Sequence, residues 1–155
     1  ELYTNDDDPT NDINHTMLGG DVEYFNEPVN YDPRYFSRHG YSYNMRWGRV
    51  IKRIIKALSE DKNVYIHCTW GADRTGTLVM LLQGLLGVSE SDMSKDYELT
   101  AFCYSRMRNN EYWGPNLEFI KTLSGNTLQE QIISYCINAG VSAAEIETFQ
   151  TIMIE

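Results

Sequence analysis

The chain has 155 residues and is 42% hydrophobic, enough to bury one proper core and short for two. Its 22 acidic against 13 basic residues leave a formal net charge of −9, which disfavours nucleic acid and anionic membrane surfaces as partners. Three cysteines make no disulfide framework, and no apolar stretch is long and uninterrupted enough to span a bilayer.

In chain order, residues 1–20 carry Asp6, Asp7, Asp8 and Asp12 with few apolar residues and read as a polar, acidic arm, or the remnant of an upstream region. Glu1 is not an initiator methionine and no signal peptide opens the chain, so a processed or excised piece is expected. Residues 21–155 read as one catalytic domain. Tyr24 to Val29 form a strand-like run closed by turn residues, with Tyr31-Asp32-Pro33 after it. From Met45 to Ser59, Trp47, Val50, Ile51, Ile54, Ile55 and Leu58 recur at helical spacing, while Arg49, Lys52, Arg53 and Lys56 fall on the solvated face. Val64, Tyr65 and Ile66 are β-branched or aromatic and predict a short strand. Leu78 to Leu82, with Leu85 and Leu86, predict a buried helix after it.

The C-terminal half is expected to be mostly helical. Ser89 with Asp92, and Ser142 with Glu145, have the spacing of a helix-opening capping pattern; Pro115 and Thr127 each open another helix. The helix after Ser89 is expected to contain Tyr97, Leu99, Phe102 and Met107. Cys103 and Cys136 sit on helix-like segments and read as core residues. No internal repeat is present. The fold class this implies is α/β: a small, mainly parallel sheet flanked by helices, with the functional loop at the carboxyl end of the Val64–Ile66 strand, where open sheets place ligand sites.

That loop is His67 to Gly76, H-C-T-W-G-A-D-R-T-G, with Cys68 and Arg74 six positions apart around Gly71. Backbone N–H groups of a tight loop and the first turn of a helix converge on one spot, where the helix dipole also favours negative charge, so an anion belongs there. Such surroundings favour the thiolate of a cysteine, which makes Cys68 the candidate nucleophile. The planar fork of Arg74 suits two phosphate oxygens at once, which a lysine would not. Gly71 lets the backbone bend toward the ligand and Gly76 lets the helix pack closely.

These residues are similar to the signature H-C-x5-R-[ST]-G of the cysteine-dependent protein tyrosine phosphatase superfamily, met by His67, Cys68, Arg74, Thr75 and Gly76. The loop most resembles those bacterial tyrosine phosphatases that carry an aspartate before the arginine, here Asp73. Lys95 to Thr100 and Ala139 to Ser142 resemble further parts of the same enzymes, although an N-F-R-D-L-G-G-like opening is missing. The resemblance implies a tyrosine-phosphatase-like fold, a cysteinyl-phosphate intermediate on Cys68 and no metal or cofactor. It also implies a phosphate cradle of Cys68, Thr69, Trp70, Gly71, Ala72, Asp73 and Arg74. Thr75 would stabilise the departing thiolate, with His67 and Gly76 supporting the loop.

Two aspartates compete for the general acid. Asp73 is the preferred one, since related enzymes with this loop are thought to use it; Asp32 lies where the superfamily's separate acid loop would fall. Tyr104, Tyr112 and Trp113 read as core or rim. The partner expected is a phosphorylated protein, or a small phosphorylated substrate such as a phosphoinositide or inositol phosphate. The variable positions Thr69, Trp70, Ala72 and Asp73 carry no lysine, which favours a less charged, aromatic substrate over those head groups. Other readings are a non-catalytic phosphotyrosine-binding pseudophosphatase, which the intact Cys68 and Arg74 argue against, and a rhodanese or an arsenate reductase. A rhodanese loop generally lacks the R-T-G continuation, and a reductase needs a resolving cysteine near the first. Both a secreted bacterial protein and a cytoplasmic one fit the composition.

Overall fold

The computed structural model describes residues 22–23, 25–29, 36, 40–102 and 113–154. Six α-helices follow one another among them: α1 Gly40–Ser59, α2 Asp73–Leu85, α3 Glu90–Leu99, α4 Gly114–Ile120, α5 Leu128–Asn138 and α6 Ala143–Ile154. A 3₁₀ turn, Thr100–Phe102, extends α3.

The described residues contain no strand, which corrects the expectation of a small, mainly parallel sheet flanked by helices. Residues 25–29 and 62–68 both run as irregular chain. Val64 is 37% exposed and Tyr65 is 71% exposed, so the run expected to be a short strand keeps much of its apolar surface in water. β-branched and aromatic residues fit a pleated surface, but they make a strand only where a neighbouring chain completes the ladder. The functional loop therefore follows irregular chain, and among the described residues helix packs on helix where a layer of sheet was expected.

The helices themselves follow their sequence signals. Each cap removes an orphan backbone group from the first turn. Ser89 accepts a bond from the Asp92 N–H at the start of α3. Thr127 and Glu130 form a full capping box on α5. Ser142 and Glu145 do the same before α6, with Glu145 N–H donating to Ser142 Oγ and Ser142 N–H to Glu145 Oε2. Pro115 stands in the first turn of α4. α1 starts at Gly40, upstream of Met45, because the polar residues before Met45 carry no apolar period to read. α3 stops at Leu99, with Leu99 58% and Phe102 89% exposed; Met107 lies outside the described residues.

Helix ends are closed as regularly as they are opened. Gly140, at φ +92°, ends α5, and the Val141 N–H reaches back to the Cys136 carbonyl at 2.9 Å. Gly87 closes α2 in the same way through Val88 N–H to Gln83 O at 3.1 Å. These are Schellman closures, which need a left-handed residue where glycine has no steric penalty. The carbonyl of Leu85, in the last turn of α2, accepts from Gln129 on α5 at 3.0 Å and from Gln150 on α6 at 2.7 Å.

One core joins these elements. Trp47, Ile51, Ile54 and Ile55 of α1 meet Leu78, Leu81 and Leu85 of α2, Ile132, Tyr135 and Cys136 of α5 and Ile146 and Phe149 of α6. α1 packs on α6 and α5, α2 on α5 and α3, and α4 on α5. Glycine sets two of these approaches. A Cβ at Gly48 would stand 1.8 Å from the Ala139 carbonyl oxygen, and one at Gly84 would stand 2.0 Å from Ile132 Cδ1.

Upstream chain is tied to this core by polar contacts. Glu27, only 7% exposed, takes a two-pronged grip from Arg49 of α1 at 2.5 and 3.0 Å, and Arg46 donates to the Pro28 carbonyl. Buried Asn116 of α4 accepts from the Phe36 N–H at 3.1 Å.

Candidate functional site

The site is built on the turn that feeds α2. Gly71 adopts φ +67°, a left-handed conformation, and a Cβ there would meet nothing within 4 Å. Space therefore does not demand glycine here; backbone strain does. At Gly76 the demand is the reverse, since a Cβ would lie 2.8 and 2.9 Å from Cδ2 and Cε2 of Tyr97. The first turn of α2 thus rests directly on an aromatic ring of α3.

Cys68 is 9% exposed and Arg74 is 5% exposed, one on each side of the Gly71 turn. Arg74 stands in the first turn of α2, so a full positive charge is added where the helix dipole is already positive. A buried guanidinium at that end of a helix works against helix stability and in favour of an incoming anion. Ala72 is wholly buried, Thr69 is exposed, and Trp70 stands 57% exposed beside them. His67 is half-buried and stacks with Tyr65, centroids 5.4 Å apart and planes at 28°.

Asp73 opens α2 and accepts a 3.0 Å hydrogen bond from the hydroxyl of Tyr97, which is 4% exposed. Thr75 Oγ1 is buried with no hydrogen-bond partner among the described residues, and a buried hydroxyl left in that state is costly. Asp32, the other candidate acid, lies outside the described residues, as do Cys103, Tyr104 and Tyr112. Trp113 is core, 2% exposed. Cys136 is also core, and burial pushes its thiol up to about 12, which leaves it inert at neutral pH.

A cleft of about 280 Å³ opens between α2 and α3, lined by Gly71, Thr75, Gly76, Val79, Met93 and Tyr97 among others. The loop residues Gly71, Thr75 and Gly76 form one of its walls, while Cys68 and Arg74 do not line it. Among the described residues no group of three or more His, Cys, Asp and Glu side chains is arranged to hold a metal. No helix of the described residues is long and apolar enough to cross a membrane.

With this geometry in hand, a comparison with protein-family models matches residues 33–155 to the tyrosine phosphatase family. The chain belongs to that family. Searches of curated proteins and of solved structures found no match. Membership makes the protein a phosphatase, whose substrates carry phosphate, and the match takes in the whole loop, α2 and the C-terminal helices. Sequence reasoning missed the contact of the Tyr97 hydroxyl with Asp73, although Lys95 to Thr100 resembles a stretch of related enzymes. It also missed Asn116 and the Glu27–Arg49 pair, whose partners lie far away along the chain.

Proposed function

We propose that this phosphatase hydrolyses phosphate monoesters through a cysteinyl-phosphate on Cys68, with phosphotyrosine in proteins as the leading substrate. The observation that carries the reading is the burial of Cys68 and Arg74 on the two sides of a left-handed Gly71 turn leading into the N-terminus of α2. In the first step the Cys68 thiolate forms a bond to phosphorus while the ester oxygen leaves and takes a proton from Asp73. In the second, water attacks the same phosphorus and gives its proton to Asp73. The S–P bond breaks, and inorganic phosphate departs.

The loop amides and Arg74 hold the phosphoryl oxygens in both steps, where fixed donors act without reorganising. Thr75, whose hydroxyl lacks a partner among the described residues, donates to the sulfur as it leaves. His67 orients the loop. Exposed Trp70 offers an aromatic face at the rim, and the variable positions carry no lysine, which supports an aryl ester over a heavily charged head group.

The decisive experiment combines Cys68→Ser with a substrate panel. The variant should fold, still bind vanadate, and lose at least about a thousand-fold in turnover of an aryl phosphate. Turnover near the wild-type rate would refute the nucleophile. Phosphotyrosyl peptides should exceed phosphoinositides and inositol phosphates in kcat/KM at matched conditions, and the reverse ranking would reassign the substrate class.

A further inference from the structure

Tyr97 is held more tightly than a core aromatic needs to be. Its ring lies against the backbone of Gly76, with Cδ2 and Cε2 only 2.8 and 2.9 Å from where a Cβ of that residue would stand, and its centroid is 5.8 Å from that of Trp113 at 52°. The ring therefore has little freedom to rotate or withdraw. Its hydroxyl is delivered across 24 residues of chain to Oδ1 of Asp73, at 3.0 Å. An aspartate in the first turn of a helix has other choices, since its carboxyl can swing to cap backbone N–H groups or reach solvent. The phenol holds Oδ1 toward α3.

We propose that Tyr97 is a positioning residue for proton transfer: by donating to Oδ1 of Asp73 it leaves Oδ2 as the oxygen that carries the proton delivered to the leaving group. This rests on the reading of Asp73 as the general acid. The chemistry follows from the donor inventory. A neutral carboxylic acid has one O–H and one carbonyl oxygen, and the carbonyl oxygen is the better acceptor, so an O–H donor at Oδ1 favours the acid proton on Oδ2. Tyr97 thus does two things, fixing the carboxyl rotamer and choosing its protonated oxygen, while touching neither substrate nor phosphorus. Its ring contact with Gly76 ties this choice to the seat of α2, so the acid is registered to the loop itself. Positioned general acids contribute roughly 10²–10⁴-fold, and a misaimed one forfeits part of that.

The test is Tyr97→Phe, which keeps the ring on Gly76 and beside Trp113 and removes only the hydroxyl. Values of kcat/KM are measured for aryl phosphates graded from dinitrophenyl to phenyl, in the wild type, Tyr97→Phe, Asp73→Asn and the double variant, together with the inhibition constant of inorganic phosphate. For Tyr97→Phe, phenyl phosphate should lose about tenfold and dinitrophenyl phosphate less than about twofold, with phosphate inhibition unchanged. In the Asp73→Asn background the same change should have no leaving-group-dependent effect. Equal losses across the series, no loss at all, or a graded loss that persists without Asp73 would overturn the role of Tyr97. If Asp73→Asn is steeply graded and Tyr97→Phe is not, only the Tyr97 assignment falls. If Asp73→Asn itself is ungraded, the acid is not Asp73 and both readings fall.

Discussion

In the proposed reaction Arg74 joins a permanent charge to a planar two-pronged donor in the first turn of α2. Arg74→Lys keeps the charge and removes the fork. It should lower kcat by about 10²–10³-fold, equivalent to roughly 3–4 kcal/mol, with little change in thermal midpoint. Steady-state kinetics beside a melting curve would check this, and a loss below tenfold would refute two-pronged binding. The Gly71 turn and the helix that follows it were legible in sequence because a glycine and an apolar run after it are local signals. What lay hidden at this scale was contact between remote residues. Nothing in the order of amino acids announces that the hydroxyl of Tyr97 meets Asp73, since the bond depends on how α3 crosses α2.

Helix boundaries are the level at which local rules worked best, and α6 offers a measurable case. Burial pushes the Glu145 carboxyl up, but the Ser142 N–H, the Ser142 hydroxyl and the charge of Lys52 outweigh it and hold the carboxyl below its ordinary value of 4.5. The ionised form is thus favoured by folding. Its contribution is present above the carboxyl's unfolded value and is lost as pH falls through the lower, folded one. Glu145→Gln should therefore destabilise by about 0.5–1 kcal/mol at pH 7 and by much less at pH 3, as urea midpoints at the two values would show. An equal difference at both would mean that the carboxylate does not carry the cap. Ser89, Thr127, Ser142 and Pro115 were legible because a cap is satisfied within four residues. The Val64–Ile66 strand was misread for the opposite reason, as pairing needs a partner chain that three residues cannot reveal.

The molecule as a whole is held by helix crossings whose closeness glycine sets. At Gly48 an added methyl would collide with a carbonyl of Ala139, a backbone atom that no rotamer change can move. Gly48→Ala should destabilise by about 3 kcal/mol despite the roughly 1 kcal/mol that alanine contributes to a helix interior, and a shifted denaturation midpoint would measure it. A neutral or stabilising outcome would mean that α1 and the end of α5 do not approach as described. This crossing, like the placing of Phe36 by Asn116, joins residues that have no relation along the chain, which is why sequence alone left it out of reach. The shared carbonyl of Leu85 carries a different implication. Both of its donors, Gln129 and Gln150, come from helices that leave the ribosome long after the loop does. During synthesis the Cys68 loop is thus exposed on a chain whose α2 still lacks the groups that fasten its far end. The phosphatase should gain activity late and abruptly. Stalled nascent chains ending before Gln129 should be inactive and protease-sensitive around α2, and chains released with residues 128–154 outside the tunnel should be active. Turnover by the short nascent chains would mean that the loop matures on its own.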